Sequence, residues 1–470
     1  MTRDFDLAVI GAGTAGLTVA RLVAARGRRV ALLERGRPGG DCLWTGCVPS
    51  KALIHAAAMA HATRRAHDFG VDATLDGVSW SRIRAHIERA QAVAGEPDTP
   101  AAIAGYGVEL LSGSARFVDP HTLDIDGRRL RARFIVIATG SRPTIPPIPG
   151  LSEAGFDTNE SAFAWEALPA SLAIIGGGPI GVELGQAFCR LGVRVSILEA
   201  APRILPAEEP SASAIVHRVL SGEGVTVHAD VRVSRIERAS PGRRIFFECG
   251  AKKHSLVTER ILVATGREPN LDGLDLRTAG VQLDRRGRTV LDRKLRTSQP
   301  HIFCVGDAAG GLQFTDVAED QGRTVANVIN GRRFQSWSPS TVPRVTFTAP
   351  EVASVGLTEA AARDRWGPRV AVYDVPLAQV DRAVTAGTTE GFVRIVTRPG
   401  WNRFVPGLRS LMGDEIAGAT IVAPHAGDLL APILMAMRAR LPLGFVAWNP
   451  QPYPTLALGV RQAAGIPFDQ

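Results

Sequence analysis

The stretch FDLAVIGAGTAG, residues 5–16, decides the fold. A short apolar strand runs into the glycine pattern G-x-G-x-x-G, a helical pattern follows, and a second apolar strand over residues 29–34 ends in Glu34. This order is typical of a βαβ unit that binds a dinucleotide, with the pyrophosphate at the helix N-terminus and the acid on a ribose diol. The alternative is a glycine-rich loop in an unrelated α/β protein. The pattern consists of Gly11, Gly13 and Gly16.

The same unit recurs further along the chain. The stretch SLAIIGGGPIG, residues 171–181, leads into a helical pattern, and a strand pattern over residues 193–199 ends in Glu199. Two such glycine patterns, here called fingerprints, predict two dinucleotide sites in one chain. Each half also holds an apolar strand that ends in Ala-Thr-Gly. The second fingerprint contributes Gly176, Gly178 and Gly181, and the two Ala-Thr-Gly turns contribute Thr139, Gly140 and Gly266.

The composition is that of a globular protein. Of 470 residues, 45% are hydrophobic and 21% are charged, which excludes a disordered or fibrous chain and fits two to four domains. The apolar runs are shorter than the roughly 20 residues of a membrane-spanning helix, so no membrane insertion is expected. The first residues lead straight into a strand and lack the layout of a signal peptide. These features predict a cytoplasmic protein.

The net charge of +8 does not indicate a nucleic-acid partner. Only four of the 54 basic residues are lysine, and the arginines are spread along the whole chain. A nucleic-acid site requires basic residues that cluster on one face or along one helix. The five cysteines are an odd number in a long chain, which argues against a disulfide scaffold.

Two of the cysteines lie close together in GGDCLWTGCVPSK, residues 39–51. A zinc site is one interpretation, although no second Cys/His pair lies nearby, and two buried packing thiols are another. A redox-active pair explains the neighbours better. In a regular helix the sulfurs of Cys42 and Cys47 would lie on different faces, so we expect an irregular turn at Cys42 and a helix that starts near Cys47. A thiol at a helix N-terminus has a lowered pKa, and Lys51 follows on the same helical face.

Changes of pattern divide the chain into segments. A proline-rich run after the first unit predicts a stiff linker, and a later strand leads to Asp307. Beyond that point strands and helices alternate without a nucleotide motif. The predicted fold class is α/β: two Rossmann-like, three-layer dinucleotide-binding domains followed by a C-terminal α+β domain. The predicted segments are 1–148, 149–272, 273–341 and 342–470.

Residues 40–51 resemble the redox-active motif of class I pyridine nucleotide–disulfide oxidoreductases, a family that includes dihydrolipoamide dehydrogenase, glutathione reductase and mercuric reductase. The likeness extends to both fingerprints, both Ala-Thr-Gly turns and the Val-Gly-Asp of residues 305–307. Residues 342–356 resemble the start of the family's dimerisation domain. The resemblance therefore implies a homodimeric FAD enzyme. It assigns FAD binding to segments 1–148 and 273–341, NAD(P) binding to 149–272 and the subunit interface to 342–470.

The resemblance also implies a role for each motif residue. Cys42 would be the outer thiol that attacks the substrate, and Cys47 would be the inner thiolate that touches the flavin. Lys51 would lie beside the flavin and pair with Glu183, and electrons would pass from the nicotinamide through FAD to the cysteines. No resident metal is implied. FAD would be held by Gly11, Gly13, Gly16, Glu34, Lys51, Thr139, Gly140, Asp307 and Ala308, and NAD(P) by Gly176, Gly178, Gly181, Glu199 and Gly266.

The second fingerprint favours NADH. Glu199 at the strand end would repel a 2′-phosphate and suits a free ribose diol, and Gly181 agrees with the usual NAD pattern. Arg203 lies close enough in sequence to leave room for NADPH.

The C-terminal segment departs from the family pattern. Disulfide reductases of this family usually end in His-x-x-x-x-Glu, in which the histidine reaches the partner subunit's cysteines as acid and base. Here Tyr453 and Leu458 occupy the two positions. A tyrosine with a pKa of about 10 is a poor proton shuttle at pH 7, so efficient turnover of lipoamide or glutathione disulfide is not expected. Mercuric reductase has a tyrosine in this segment but also a C-terminal cysteine pair, whereas no cysteine follows Cys304 here.

The leading hypothesis is a FAD-dependent NAD(P)H oxidoreductase that passes electrons through the Cys42–Cys47 disulfide to a small-molecule or metal-ion acceptor. The acceptor would be a metal ion, a quinone, or a specialised thiol or disulfide. Soft metal ions fit because thiolates bind them without a proton donor. One alternative is a dihydrolipoamide dehydrogenase-type enzyme with an altered acid/base, in which Tyr453 is the candidate catalytic residue. Another is a flavoprotein redox sensor or electron-transfer subunit that does not turn over.

Overall fold

The structure is a computed structural model that describes residues 4–332, 334–400 and 412–468. Its strands are β1 (Phe5–Ile10), β2 (Val30–Glu34), β3 (Val108–Ser112), β4 (Ala115–Asp119), β5 (Thr122–Ile125), β6 (Arg128–Ile137), β7 (Ser141–Pro143), β8 (Ser171–Ile175), β9 (Arg194–Leu198), β10 (Thr226–His228), β11 (Val231–Arg238), β12 (Arg243–Cys249), β13 (Lys252–Thr258), β14 (Arg260–Val263), β15 (Arg267–Pro269), β16 (Ile302–Cys304), β17 (Pro343–Thr346), β18 (Glu351–Gly356), β19 (Ala371–Pro376), β20 (Phe392–Arg398) and β21 (Glu415–Ala423).

The helices alternate with these strands through most of the chain. They are α1 (Thr14–Ala24), α2 (Gly40–Trp44), α3 (Cys47–Arg65), α4 (Trp80–Ala94), α5 (Pro100–Gly105), α6 (Leu151–Ala154), α7 (Asn159–Ala162), α8 (Pro179–Arg190), α9 (Pro210–Gly222), α10 (Thr315–Ile329), α11 (Glu359–Trp366) and α12 (Asp381–Thr385), followed by Ala426–Leu429, Ala431–Ala439, Gly444–Ala447 and Ala457–Gly465. Among the helices that the structure describes, none has the length and apolar character needed to cross a bilayer.

The first sheet has the strand order β3-β2-β1-β6-β5-β4, with β16 beside β6. Strands β1, β2, β3, β6 and β16 are parallel. Helices α1 and α10 bury apolar side chains such as Leu17 and Val325 on one face, and Leu274 and Leu276 pack on the other. Because β16 joins from beyond the second fingerprint, two separated parts of the sequence build this sheet.

The second sheet is parallel, with the order β10-β9-β8-β14, and a three-stranded antiparallel meander of β11, β12 and β13 accompanies it. Helix α8 packs against it through Val182 and Phe188, and α9 through Val216 and Leu220. The two glycine turns lie at the carboxyl ends of β1 and β8. This is the edge of a parallel α/β sheet at which ligands bind.

The third sheet is antiparallel, with the order β17-β18-β21-β20-β19. Two buried carboxylates in the loop before α9 connect it to the second sheet. Glu208 accepts a 2.6 Å hydrogen bond from the Ser354 hydroxyl and pairs with Arg344 at 3.1 Å. Glu209 pairs with Arg394 at 3.3 Å. Because a buried charge is costly without its partner, these contacts fix the position of the third sheet relative to the second.

The predicted fold class is confirmed: two units built on parallel sheets precede a unit built on an antiparallel sheet with helices. The boundaries of the four predicted segments stay a prediction.

Candidate active site

Glu34 closes the first glycine turn. Its carboxylate accepts hydrogen bonds from the amides of Ala12 at 2.7 Å and Gly36 at 2.9 Å. Gly11 has a φ of 103°, and a Cβ there would overlap the carbonyl oxygen of Ala138. Only glycine therefore lets this turn approach the neighbouring strand so closely.

Glu199 closes the second turn in the same way. It accepts hydrogen bonds from the amides of Gly177 at 2.5 Å and Ala201 at 2.6 Å. Gly176 has a φ of 113°, and a Cβ there would overlap the carbonyl oxygen of Ala264. The two halves of the chain thus repeat one turn down to its hydrogen bonds.

Both turns leave open space in front of a helix N-terminus. Gly13 and Gly178 are the N-caps of α1 and α8. A Cβ at Gly13 would meet only Gly40, at 3.7 Å, and one at Gly178 would meet nothing within 4 Å. Gly16 and Gly181, by contrast, pack tightly against the first glycine of their turns. Since backbone N–H groups at such a terminus bind phosphate, both turns fit the pyrophosphate of a dinucleotide.

The Ala-Thr-Gly turns follow β6 and β14. Gly140 has a φ of 70° and Gly266 a φ of 114°, and a Cβ at either position would meet no atom within 4 Å. The Thr139 hydroxyl donates a 2.5 Å hydrogen bond to the carbonyl of Asn270. Thr139 thereby holds the chain that leaves β15, while the two glycines keep their surroundings open.

Asp307 lies in a short 3-10 turn, Gly306–Ala309, that follows β16. The Ser141 hydroxyl donates to its carboxylate at 2.6 Å, and the Arg267 guanidinium lies 4.0 Å away. Burial raises the pKa of Asp307 above its ordinary value, and the contacts with Ser141 and Arg267 oppose that shift. A carboxylate here can accept a hydrogen bond from a polyol hydroxyl. Ala308, the next residue in this turn, is fully buried.

The cysteine pair lies at the junction of α2 and α3. The expected irregular turn at Cys42 was wrong, because Cys42 lies inside the short helix α2 and the break is confined to Thr45 and Gly46. Cys47 is the first residue of α3, as the sequence predicted. The hydroxyl of Thr315, the first residue of α10, donates to the Cys42 sulfur at 3.2 Å and lies 3.4 Å from the Cys47 sulfur. Two helices separated by Thr45 and Gly46 therefore bring both sulfurs to one hydroxyl.

The two thiols have opposite pKa shifts. A hydrogen bond from Cys42 lowers the pKa of Cys47 to about 6, with help from Thr315 and Lys51 and against the effect of burial and Glu183. The same contact raises the pKa of Cys42, because its proton is held against Cys47, and burial raises it further. In the dithiol form at neutral pH, Cys47 is thus the thiolate and Cys42 the thiol.

Lys51 is held beside this pair by a buried carboxylate. Its ammonium forms a 2.9 Å ion pair with Glu183 of α8, and the second Glu183 oxygen accepts a 2.9 Å hydrogen bond from the amide of Phe347. The Lys51 nitrogen also lies 4.3 Å from the centroid of the Phe347 ring. These contacts connect the cysteine helix, the second nucleotide unit and the C-terminal unit at one point.

Arg267 supports the redox segment although no motif marked it. Its side chain is 11% exposed and forms a 3.0 Å ion pair with Asp41 of α2. It also donates to the Ser141 hydroxyl at 2.8 Å and to the Asn159 side chain at 3.3 Å. Its place directly after the second Ala-Thr-Gly turn was a local signal that could have identified it.

Further contacts hold the backbone between the cysteines. Asn159 donates to the carbonyl of Thr45 at 3.0 Å, and Gln91 of α4 donates to the carbonyl of Trp44 at 2.8 Å. Neither residue belongs to a recognisable motif. Thr315 had no sequence signal either, because it lies 268 residues from Cys47 along the chain.

Tyr453 is 73% exposed on the C-terminal unit. Its hydroxyl donates a 2.9 Å hydrogen bond to Asp381, which raises the pKa of the tyrosine. Within the described part of a single chain, no contact joins Tyr453 to either cysteine. The structure therefore brings Cys42, Cys47, Lys51 and Glu183 together and leaves Tyr453 outside that group.

Comparison with known sequences identifies the family. The profile described as pyridine nucleotide-disulphide oxidoreductase matches residues 5–322, and the profile of the corresponding dimerisation domain matches residues 342–464. The chain belongs to the pyridine nucleotide-disulphide oxidoreductase family. It is 32% identical to a mercuric reductase from Bacillus cereus, over 99% of this chain and 72% of that protein. It is 34% identical to a dihydrolipoyl dehydrogenase from Thermus scotoductus, over 98% of this chain and 97% of that protein.

Solved structures agree with this assignment. The flavoprotein disulfide reductase RclA from Escherichia coli, solved as a Cu(II) complex, superposes with a TM-score of 0.83 at 27% identity, over 97% of this chain and 98% of that one. LpdA from Mycobacterium tuberculosis superposes with a TM-score of 0.87 at 26% identity, over 99% of both chains.

The protein is therefore a flavin-dependent disulfide oxidoreductase of the family that uses FAD and NAD(P)H. Its own residues fit this chemistry: both glycine turns leave room for a pyrophosphate, and the half-buried Asp307 can accept a hydrogen bond from a ribityl hydroxyl. When bound, FAD supplies a group that accepts a hydride from the nicotinamide and returns two electrons to the cysteines.

The opposite pKa shifts predict how the reduced thiols react with iodoacetamide. Because the thiolate is the nucleophile, Cys47 alkylation should rise with pH through a midpoint near 6. Cys42 should stay largely unalkylated over the same pH range, since its pKa is raised. The protein is reduced with dithiothreitol, and peptide mass spectrometry measures the alkylation of each cysteine from pH 5 to pH 9. Equal midpoints for the two cysteines would contradict the assignment of the thiolate to Cys47.

Proposed function

We propose that this enzyme oxidises NADH and delivers the two electrons through Cys42 and Cys47 to a soft, thiol-binding metal ion. The observation that supports the proposal best is the arrangement of the sulfurs. A low-pKa thiolate and a thiol share one hydrogen-bonded contact at the start of a helix, and Cys47 is solvent-accessible in the single chain. Such a pair can take up a soft cation without a separate proton donor.

The C-terminal unit supports an acceptor that needs no protein acid. Tyr453 stands where the disulfide reductases of the family have histidine, and its hydroxyl is engaged with Asp381. A raised pKa keeps this phenol protonated, which makes it a poor base for thiol–disulfide exchange. Leu458 cannot orient a proton-transferring side chain. A metal acceptor avoids this requirement, whereas a disulfide acceptor has a leaving thiolate that must be protonated.

The electrons and protons of the proposed step balance. The dithiol has two electrons more than the disulfide. One divalent mercury ion takes both electrons and becomes the metal, or two copper(II) ions take one each and become copper(I). In either case the Cys42–Cys47 bond forms again and the one proton of the Cys42 thiol leaves for solvent, since Cys47 is already a thiolate. The names of the mercuric reductase relatives and the Cu(II) complex of RclA make these two ions the first to test.

The roles of the remaining site residues belong to the same proposal. Lys51, held by Glu183, would place a positive charge beside the Cys47 thiolate and the flavin. The contacts of Asp307 support a role in binding the flavin. Those of Glu34 and Glu199 support roles in binding the ribose diols of FAD and NADH, respectively.

The contacts of Arg203 support NADH over NADPH. Its guanidinium donates to the carbonyls of Pro206 at 2.9 Å and Glu208 at 3.3 Å, so it is committed to its own loop. The Glu199 carboxylate meanwhile lies at the turn where a 2′-phosphate would approach, and it would repel that phosphate.

We also infer a homodimer and retain the prediction of a cytoplasmic location. The dimerisation profile matches residues 342–464, and this unit exposes large apolar side chains. Met435 is 73% exposed and Trp448 is 48% exposed. A second copy of the chain would cover such side chains and place another subunit's Tyr453 near the cysteines.

Replacing either cysteine tests the metal-reductase proposal. Cys42→Ser and Cys47→Ser should each lower NADH-dependent reduction of Hg²⁺ or Cu²⁺ by about 100-fold or more, because the second sulfur is needed to reform the disulfide. Volatile mercury and a copper(I)-specific chelator measure the products. Cys249→Ser is the matched control, since Cys249 is an exposed thiol on β12.

Glutathione disulfide and a quinone serve as comparison acceptors in the same assay. Metal reduction that exceeds disulfide reduction supports the proposal. Reduction of the quinone alone, unchanged in both cysteine variants, would falsify it, because the electrons would then leave without the sulfurs.

Glu199→Gln tests the nicotinamide preference. The parent should use NADH with at least about a tenfold higher kcat/KM than NADPH. In the variant this ratio should fall roughly fivefold, because about 1 kcal/mol of repulsion between Glu199 and the 2′-phosphate is removed. Steady-state kinetics with both nucleotides measure the ratio. Glu237→Gln, an exposed acid of the same unit, should leave it unchanged. A parent that prefers NADPH would contradict the assignment.

A further inference from the structure

We propose that the Thr315 hydroxyl is a catalytic hydrogen-bond donor that stabilises the reduced form of the Cys42–Cys47 pair. This inference rests on the proposed function only in assigning the electron-carrying role to the two cysteines. It does not depend on which acceptor finally receives the electrons.

The geometry places one hydroxyl against both reacting sulfurs. Thr315 Oγ1 donates to Cys42 Sγ at 3.2 Å and lies 3.4 Å from Cys47 Sγ. A hydroxyl has one hydrogen to donate, and sulfur accepts it best when it carries charge. Among the hydrogen bonds of the described residues, those of Thr315 are the ones that reach both cysteines from a different part of the chain.

The surrounding helix fixes where this hydroxyl points. Thr315 is the first residue of α10, and extended backbone at Phe314 precedes it. Helix α10 is anchored in the core of the first unit by buried residues that include Ala318 and Val325. Threonine is also stiff at χ1, because it is branched at Cβ. The donor is therefore positioned before the disulfide opens.

The same hydroxyl also reaches the sulfur that becomes negative. Thr315 Oγ1 lies 3.4 Å from Cys47 Sγ, and either atom can be the donor, so the hydroxyl can rotate to donate to Cys47 once this sulfur is a thiolate. A hydrogen bond to a charged acceptor is roughly twice as strong as one between neutral groups. The positive end of the α10 dipole, at the same residue, acts in the same direction.

The hydrogen bond from Thr315 favours reduction of the disulfide over its formation. Two electrons and one proton convert the disulfide into one thiol, at Cys42, and one thiolate, at Cys47, as the S–S bond breaks. The sulfurs of a disulfide are weak, uncharged acceptors, so the hydroxyl favours the reduced pair over the oxidised one. Removing it should shift the thiol–disulfide equilibrium toward the disulfide.

Thr315→Val and Thr315→Ser separate the hydroxyl from the side-chain shape. FAD-loaded protein is equilibrated anaerobically at pH 7 in buffers of graded ratio of reduced to oxidised dithiothreitol, quenched with acid, alkylated with iodoacetamide under denaturing conditions and analysed by mass spectrometry. Val should lower the equilibrium constant for reduction of Cys42–Cys47 about tenfold, the effect expected of one hydrogen bond to a charged group. That factor corresponds to about 30 mV for a two-electron couple. Ser should stay within about twofold of the parent.

Thr324→Val is the matched control, because Thr324 is a buried threonine of the same helix. It should leave the equilibrium unchanged. If Thr315→Val does not fold, Thr315→Ala takes its place with the same expectation. A valine or alanine variant that matches the parent would overturn the proposal, and so would equal losses in valine and serine, since the shape of the side chain would then be responsible. No acceptor is present in this experiment, so a failed metal assay would leave its result intact.

Discussion

The buried carboxylate of Glu183 is the contact on which the rest of the site depends. One oxygen pairs with Lys51 on the cysteine helix, and the other accepts the amide of Phe347 at the start of the C-terminal unit. Glu183 itself belongs to α8, the helix that follows the second glycine turn. A buried charge that lost one partner would cost several kcal/mol, about 3–5 by the usual estimate, so the three units have to keep this arrangement.

Polar contacts hold the segment that contains α2 to this frame. Arg267 ties Asp41 of α2 to Ser141, and Ser141 in turn donates to Asp307. Asp307, which we expect to face the flavin, is thus three contacts away from the helix that bears Cys42. Because polar networks of this kind hold a unique geometry only when every member is paired, the cysteines and the flavin-facing edge form one structural unit.

The sequence predicted those parts that local chemistry determines. Gly11 and Gly176 require positive φ and a close approach to the next strand, so the same pattern signals the same turn twice. The helix start at Cys47 followed from a glycine in front of it and a proline two residues after it. The short helix that contains Cys42 was missed, since five residues have too weak a periodic signal.

Contacts between distant residues could not be predicted in this way. Thr315 and Asn159 reach the redox segment only because the sheets bring separated segments together, and one sequence holds no record of such pairings. The position of Tyr453 was marked by a departure from a family pattern. Its partner, Asp381, became visible only in the folded chain.

In the reaction described above, Cys42 and Cys47 store the first two electrons. The most direct test is an anaerobic addition of one equivalent of NADH to the FAD-loaded protein, followed by flavin absorbance and by iodoacetamide trapping after denaturation. Cys42 and Cys47 should become alkylated in most chains while the absorbance of oxidised flavin largely remains. Bleached flavin with both cysteines still joined as a disulfide would contradict it, because the electrons would then have stopped before the sulfurs.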